Sequence, residues 1–120
     1  MKRTIRRIDK PWGYELIFAE TEDYVGKVLH VDAGAALSLQ YHREKDETLF
    51  LREGEVELEV DEGGELVRHR LRQGDAYRIV PGTRHRLIAG KAGCDVIEVS
   101  TPQLDDVVRL EDRYGRAKEG

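Results

Sequence analysis

Over residues 55–61, EVELEVD, acidic and apolar side chains alternate without a break, a period of two that a strand satisfies and a helix does not. Val56, Leu58 and Val60 are expected to face a core, with Glu55, Glu57, Glu59 and Asp61 facing water. Glu62-Gly63-Gly64 then turns the chain into residues 65–71, where Arg68 and Arg70 can answer the acidic row across a hairpin. Arg72 joins them as an outer-face charge.

The rest of the chain repeats this grammar. Strands are expected over residues 14–18, 24–31, 37–42, 48–52, 77–80, 84–88 and 94–100, with turns at Thr21-Glu22-Asp23, Asp32-Ala33-Gly34-Ala35, Arg43 to Asp46, Glu53-Gly54, Gln73-Gly74-Asp75 and Pro81-Gly82-Thr83. Short strands at roughly eight- to twelve-residue spacing with glycine turns indicate an antiparallel barrel or jelly roll. Residues 1–10 read as an arm or an edge strand. Trp12 is expected to plug one end of the barrel, since a buried indole supplies much core area. Only residues 104–110, LDDVVRL, have helical spacing, so residues 103–120 are expected to form a short helix and tail.

A chain of 120 residues supports one domain around one core. Charged residues make up 37% of it, against about 25% in an average domain, so the core is small and dimerisation would help it. The net charge of −4 is spread along the chain and offers no field suited to a nucleic-acid backbone. No apolar run resembles a signal peptide or membrane span, and a cytoplasmic protein is expected. Cys94 is the only cysteine, which excludes an intrachain disulfide and suits packing in a strand. His30 and His69 lie in strands as surface or packing residues.

One stretch departs from the alternation of core and surface. In residues 37–42, Ser38, Gln40 and His42 share one strand face, while Glu47 and His85 follow at the start of later strands. A barrel interior disfavours such side chains, because an unpaired buried polar group costs about 1 to 3 kcal/mol. A divalent cation would compensate. Two imidazoles and a carboxylate suit zinc, iron, manganese or nickel, with the Gln40 amide oxygen as a weaker fourth ligand. Ligands spread over three strands leave positions open toward the barrel mouth, as in a catalytic site.

The residues around this stretch resemble the first cupin motif, G-x5-H-x-H-x4-E-x6-G, with Gly34, Gln40, His42, Glu47 and Gly54 at its fixed positions and glutamine in place of the first histidine. Gly74, Gly82 and His85 match the second motif, G-x5-P-x-G-x2-H-x3-N; Pro81 falls one place late, and Ala89 stands in place of the asparagine. The resemblance implies a single cupin domain, an all-β double-stranded β-helix. Within cupins the chain is similar to the C-terminal domain of the type II phosphomannose isomerases, through Lys10-Pro11-Trp12-Gly13, Ser38-Leu39-Gln40 running into His42, His85-Arg86-Leu87, and Leu110 through Arg116. Glutamine at position 40 is usual in that group.

This resemblance implies isomerisation of mannose 6-phosphate to fructose 6-phosphate. The reaction asks for a Lewis acid, a base that carries a proton between C1 and C2, and cations for the phosphate. One divalent metal, zinc before iron, manganese or nickel, on His42, Glu47, His85 and Gln40 would meet the first need. Lys27, Arg84, Arg86, Arg113 and Arg116 are the phosphate candidates, and bidentate guanidinium contacts suit a phosphate well. Glu47, Lys27 and Tyr114 are the candidates for the base. The segment from Asp112 to Arg116 could equally pin the tail by ion pairs. A homodimer is expected, with neither nucleic acid nor membrane as partner. Two other readings remain open: a non-haem iron oxygenase on the same two-histidine, one-carboxylate set, and a non-catalytic cupin that binds a sugar or other small molecule.

Overall fold

A computed structural model describes residues 1–117. Nine strands run in chain order: β1 (Arg6–Lys10), β2 (Gly13–Glu20), β3 (Val25–Val31), β4 (Leu39–Tyr41), β5 (Glu47–Glu62), β6 (Glu65–Leu71), β7 (Ala76–Ile79), β8 (His85–Ser100) and β9 (Val108–Glu111). All named pairings are antiparallel, and the chain forms the expected all-β jelly roll. No helix is present among the described residues.

The jelly roll closes because β5 and β8 each run through two sheets. The first half of β5 pairs with the last part of β8, from Glu47↔Ser100 to Gly54↔Cys94, and its second half pairs with the start of β8, from Val56↔Ala89 to Val60↔His85. Strands β1, β2 and β3 extend the former pair on one side and β7 on the other. Strands β9 and β4 extend the latter pair, with β6 on its far side. The sequence reading separated four strands here at Glu53-Gly54 and near residue 90. They are two long strands, each bent where the register shifts between Leu51 and Val56.

Gly54 is the reason the bend is possible. Its φ is +89°, and a Cβ there would collide with the Gly93 carbonyl and approach the Cys94 Cα to 2.8 Å. Only glycine allows both the left-handed backbone and the close approach.

The expected helix over 104–110 is replaced by a turn and strand β9, which pairs Leu39↔Glu111, Gln40↔Arg109 and Tyr41↔Val108. Apolar residues at 104, 107, 108 and 110 fit a helical period, but so short a helix does not sustain itself. The open edge of β4 meanwhile offers unpaired N–H and C=O groups that need partners. Residues 1–10 resolve into an exposed arm followed by the edge strand β1. The last three residues of the expected tail, 118–120, lie outside the described residues.

Inward side chains change character along the barrel. One row across β2, β3, β8 and β5 holds Glu15, Leu29, Val96 and Leu51; the next holds Ile17, Lys27, Glu98 and Leu49. The apolar end forms one cluster with Trp12, Val31, Val56, Leu58, Leu87, Ala89 and Cys94. The opposite end carries buried charge at Lys27, Lys45, Glu47 and Glu98. On the outer face Arg68 and Arg70 sit opposite Glu59 and Glu57. Glu59, expected in water, is buried between Arg68 at 3.1 Å and Arg86 at 3.1 Å, because two long guanidinium stems cover it.

Candidate metal centre and cavity

His42 follows the end of β4, Glu47 opens β5 and His85 opens β8. Pairing of Gln40 with His85 and of His85 with Val60 fixes the spacing of these strands. His42 Nε2 lies 3.2 Å and His85 Nε2 3.0 Å from Glu47 Oε1. Ligand atoms of the three residues all fall within 4.8 Å of one another, and all three side chains are buried.

The outer nitrogens of both rings are already engaged. His42 Nδ1 meets the Asp106 carbonyl at 2.6 Å, and His85 Nδ1 meets the Thr83 carbonyl at 2.8 Å. A carbonyl only accepts, so each Nδ1 carries its proton and donates. In the neutral rings both Nε2 lone pairs therefore point at a carboxylate oxygen. In that form the three atoms are convergent acceptors that a divalent cation would satisfy, and carbonyl-anchored imidazoles are the usual way to orient metal ligands. The donor set fits a divalent metal. Gln40, half-buried beside His85, accepts a hydrogen bond from Ser38 Oγ at 2.7 Å through its amide oxygen.

A loop of five residues joins β4 to β5, and Asp106 holds it. Its carboxylate accepts N–H bonds from Arg43 (3.0 Å), Glu44 (2.7 Å) and Lys45 (2.9 Å), while Thr101 Oγ1 accepts from Asp46 N. Burial works to raise the Asp106 carboxyl, but the three N–H donors hold it below the ordinary range. Side chain and carbonyl of one residue thus set both the loop and the His42 ring.

Lys45 links the ligand set to the cavity wall. Its Nζ lies 3.3 Å from Glu47 Oε2 and 3.0 Å from Glu98 Oε2, though neither oxygen has a partner with hydrogen-bond alignment. Burial would lower the Lys45 ammonium, yet Glu98 and then Glu47 raise it. Glu47 is opposed by burial but held well below the ordinary range by His42, His85 and Lys45. Burial and then repulsion from Glu47 push Glu98 up to about 7.

Above this floor opens a cavity of about 560 Å³. Trp12, Leu29 and Leu37 supply apolar wall; Gln40, His42, Lys27, Lys45, Glu15 and Glu98 supply polar wall; Arg6, Lys10, Glu20, Asp105, Arg109 and Arg116 stand around it from β1, β2 and the C-terminal segment. Trp12 is therefore both core plug and cavity wall.

The predicted residues divide clearly. Gln40, His42, Glu47 and His85 come together, and Lys27 lines the cavity with its Nζ 3.5 Å from Glu15. Tyr114 is exposed and does not line the cavity. Of the four arginines, only Arg116 lines it, and its guanidinium is held by Asp112 at 2.9 Å and 3.1 Å. Arg84 pairs with Asp61 at 2.9 Å, Arg113 donates to the Gly34 carbonyl, and Arg86 pairs with Glu59 and approaches Glu111 at 3.8 Å. Strand alternation explains Arg84 and Arg86: they flank the inward His85.

Lys45, Glu98, Glu15 and Arg109 were not singled out from sequence. Parity was a usable signal for Glu98, since the alternation that turns Val96 inward turns Glu98 inward too. Arg109 had no such signal while its segment read as helix.

A family model described as a cupin domain matches residues 27–100. Xanthan biosynthesis protein XanB of Xanthomonas campestris pv. campestris (strain B100) is 34% identical over 115 residues, covering 92% of this chain and 24% of that protein. Mannose-1-phosphate guanylyltransferase ManC of Salmonella typhimurium (strain LT2) is 37% identical over 116 residues, covering 92% and 23%. The mannose-1-phosphate guanylyltransferase of Escherichia coli (strain K12) is 35% identical over 119 residues, covering 95% and 24%. The chain thus spans about a quarter of the length of these relatives. Among solved structures, KdgF from Halomonas sp. superposes with a TM-score of 0.70 at 27% identity, covering 83% of this chain and 88% of that one. Oxalate decarboxylase from Bacillus subtilis gives 0.78 at 17% identity, covering 88% and 30%, a likeness of fold alone.

Proposed function

The chain belongs to the cupin domain family, and from that premise we propose that it is a metal-dependent aldose–ketose isomerase acting on a sugar phosphate, of the mannose 6-phosphate to fructose 6-phosphate type. One observation carries the reading: three buried acceptors converge directly beside an open cavity that His42 lines and that several cations surround. The relatives that match over nearly the whole chain include proteins named for mannose-1-phosphate chemistry, which supports a phosphorylated hexose as ligand class.

His42, Glu47 and His85 would hold the metal, with Gln40 beside them. Bound there, a divalent metal supplies a Lewis acid for the sugar's C1 or C2 oxygen. Isomerisation then moves one proton from C2 to C1 and a second from the C2 hydroxyl to the C1 oxygen. Among the three base candidates from sequence, Glu47 and Lys27 face the site and Tyr114 does not. Glu98 joins them on the wall, so that a carboxylate oxygen can take the proton from C2 and return it to C1 while the ammonium of Lys27 or Lys45 serves the sugar oxygens. Trp12, Leu29 and Leu37 make an apolar stretch of wall beside them, where electrostatic contacts are stronger than in bulk water.

The test is conversion of mannose 6-phosphate to fructose 6-phosphate by the purified, metal-loaded protein, with and without chelator. Turnover that chelation abolishes is expected; no turnover with a loaded site would overturn the isomerase reading and leave a binding cupin.

A further inference from the structure

We infer that Arg109 is the phosphate anchor of this cavity, fixing the substrate so that its carbonyl end reaches the floor; the inference rests on the sugar-phosphate reading above. Strand register is the first ground. Arg109 stands directly opposite Gln40 in the β4–β9 pair, and Gln40 stands directly opposite His85 in the β4–β8 pair. Opposed residues of antiparallel strands share a face, so Arg109, Gln40 and His85 form one inward row. Two strand spacings, about 10 Å, separate the backbones of Arg109 and His85. That suits an open-chain hexose with its carbonyl at the ligand set and its phosphate at the far carbon.

The second ground is that Arg109 is the cavity arginine whose charge is uncommitted. Its Nε is buried without a hydrogen-bond partner, and among the described residues it has no carboxylate within ion-pair distance. By contrast Arg6 is taken by Glu20 and Arg116 by Asp112. A guanidinium left unpaired inside a cavity wall is costly and calls for an anion. Phosphate meets its planar fork with two parallel N–H bonds. Lys10 offers a second cation, since its one ion pair among the described residues, to Glu15, is a loose 3.9 Å. The carboxylates that could repel phosphate are largely neutralised: Glu15 by Lys27, Glu20 by Arg6. Asp105 is exposed to solvent.

Calorimetric titration of the metal-loaded protein with inorganic phosphate, mannose 6-phosphate and mannose tests this. Wild type, Arg109→Gln and Arg109→Lys are compared, with Arg70→Gln on the outer sheet face as control. Loss of one charged phosphate contact should weaken phosphate and mannose 6-phosphate binding roughly 10- to 100-fold, with mannose unaffected, partial recovery in the lysine variant and no change in the control. Equal phosphate affinity in Arg109→Gln and wild type would overturn the anchor while leaving the isomerase reading intact. Weakened binding in a protein that shows no turnover would do the reverse. Should Arg109→Gln fail to fold, the side-chain N–H resonance of Arg109 in the wild type decides: it should shift on adding phosphate, and an unmoved resonance at saturation refutes the anchor.

Discussion

Removing the metal should cost this fold far more than its small contact area suggests. The candidate ligands sit after β4, at the start of β5 and at the start of β8, so the cluster exists only when these segments are assembled. An ion bound to the folded state alone adds about 4 kcal/mol at a free concentration a thousand times its dissociation constant. Unfolding entropy scales at about 2.1 cal/mol/K per residue, which for 120 residues is about 0.25 kcal/mol/K. The expected difference between metal-saturated and chelated protein is therefore about 16 °C in Tm. His85→Ala removes one acceptor and should abolish the dependence on metal. Scanning calorimetry at several metal concentrations checks this; a wild-type Tm indifferent to metal and chelator, or a metal shift of equal size in His85→Ala, would refute the ligand set.

Three further outcomes follow from particular contacts. Gly54→Ala combines a left-handed backbone, about 1–2 kcal/mol, with overpacking against Gly93 and Cys94, about 1–3 kcal/mol; urea denaturation should show a loss of about 3 kcal/mol, and a loss below 1 would contradict the bend. Asp106→Ala removes the acceptor for three loop N–H groups and loosens the carbonyl under His42, so a loss of about 2 kcal/mol should accompany weaker metal retention in equilibrium dialysis; unchanged retention would mean that the loop holds itself. Burial and then Asp95 push the Cys94 thiol up to about 12. Between the ordinary thiol value of about 8.5 and that point, the unfolded chain has lost a proton that the fold retains. Stability therefore falls as pH rises through this window, more steeply than in Cys94→Val, and equal slopes would refute the assignment. The same burial predicts that a thiol reagent labels Cys94 only on unfolding.

Much of the site was legible because strand parity and side-chain chemistry are local properties. EVELEVD could only be a half-buried strand, and Gln40, His42, Glu47 and His85 announced themselves as polar residues on a face that alternation reserves for the interior. Even Glu98 was readable from the parity of Val96. The sequence reading went astray where a choice depended on which open edge the chain would meet. LDDVVRL suits a helix by its spacing, and only the unpaired edge of β4 makes it a strand. Arg84 and Arg86 looked like phosphate ligands beside His85, yet neighbours in a strand point to opposite faces.

What the sequence by itself determined is the all-β class, the inward and outward sides of its strands and the identity of the acceptor cluster, since each follows from the two-residue period and the chemistry of single side chains. Tertiary structure alone decided that the strands on either side of Gly54 are one, that Asp106 steadies His42 across 64 positions, and that Arg109 shares a row with Gln40 and His85. These depend on pairings between segments distant in sequence, and a pairing is set by the free energy of closing the whole barrel rather than by any stretch within it.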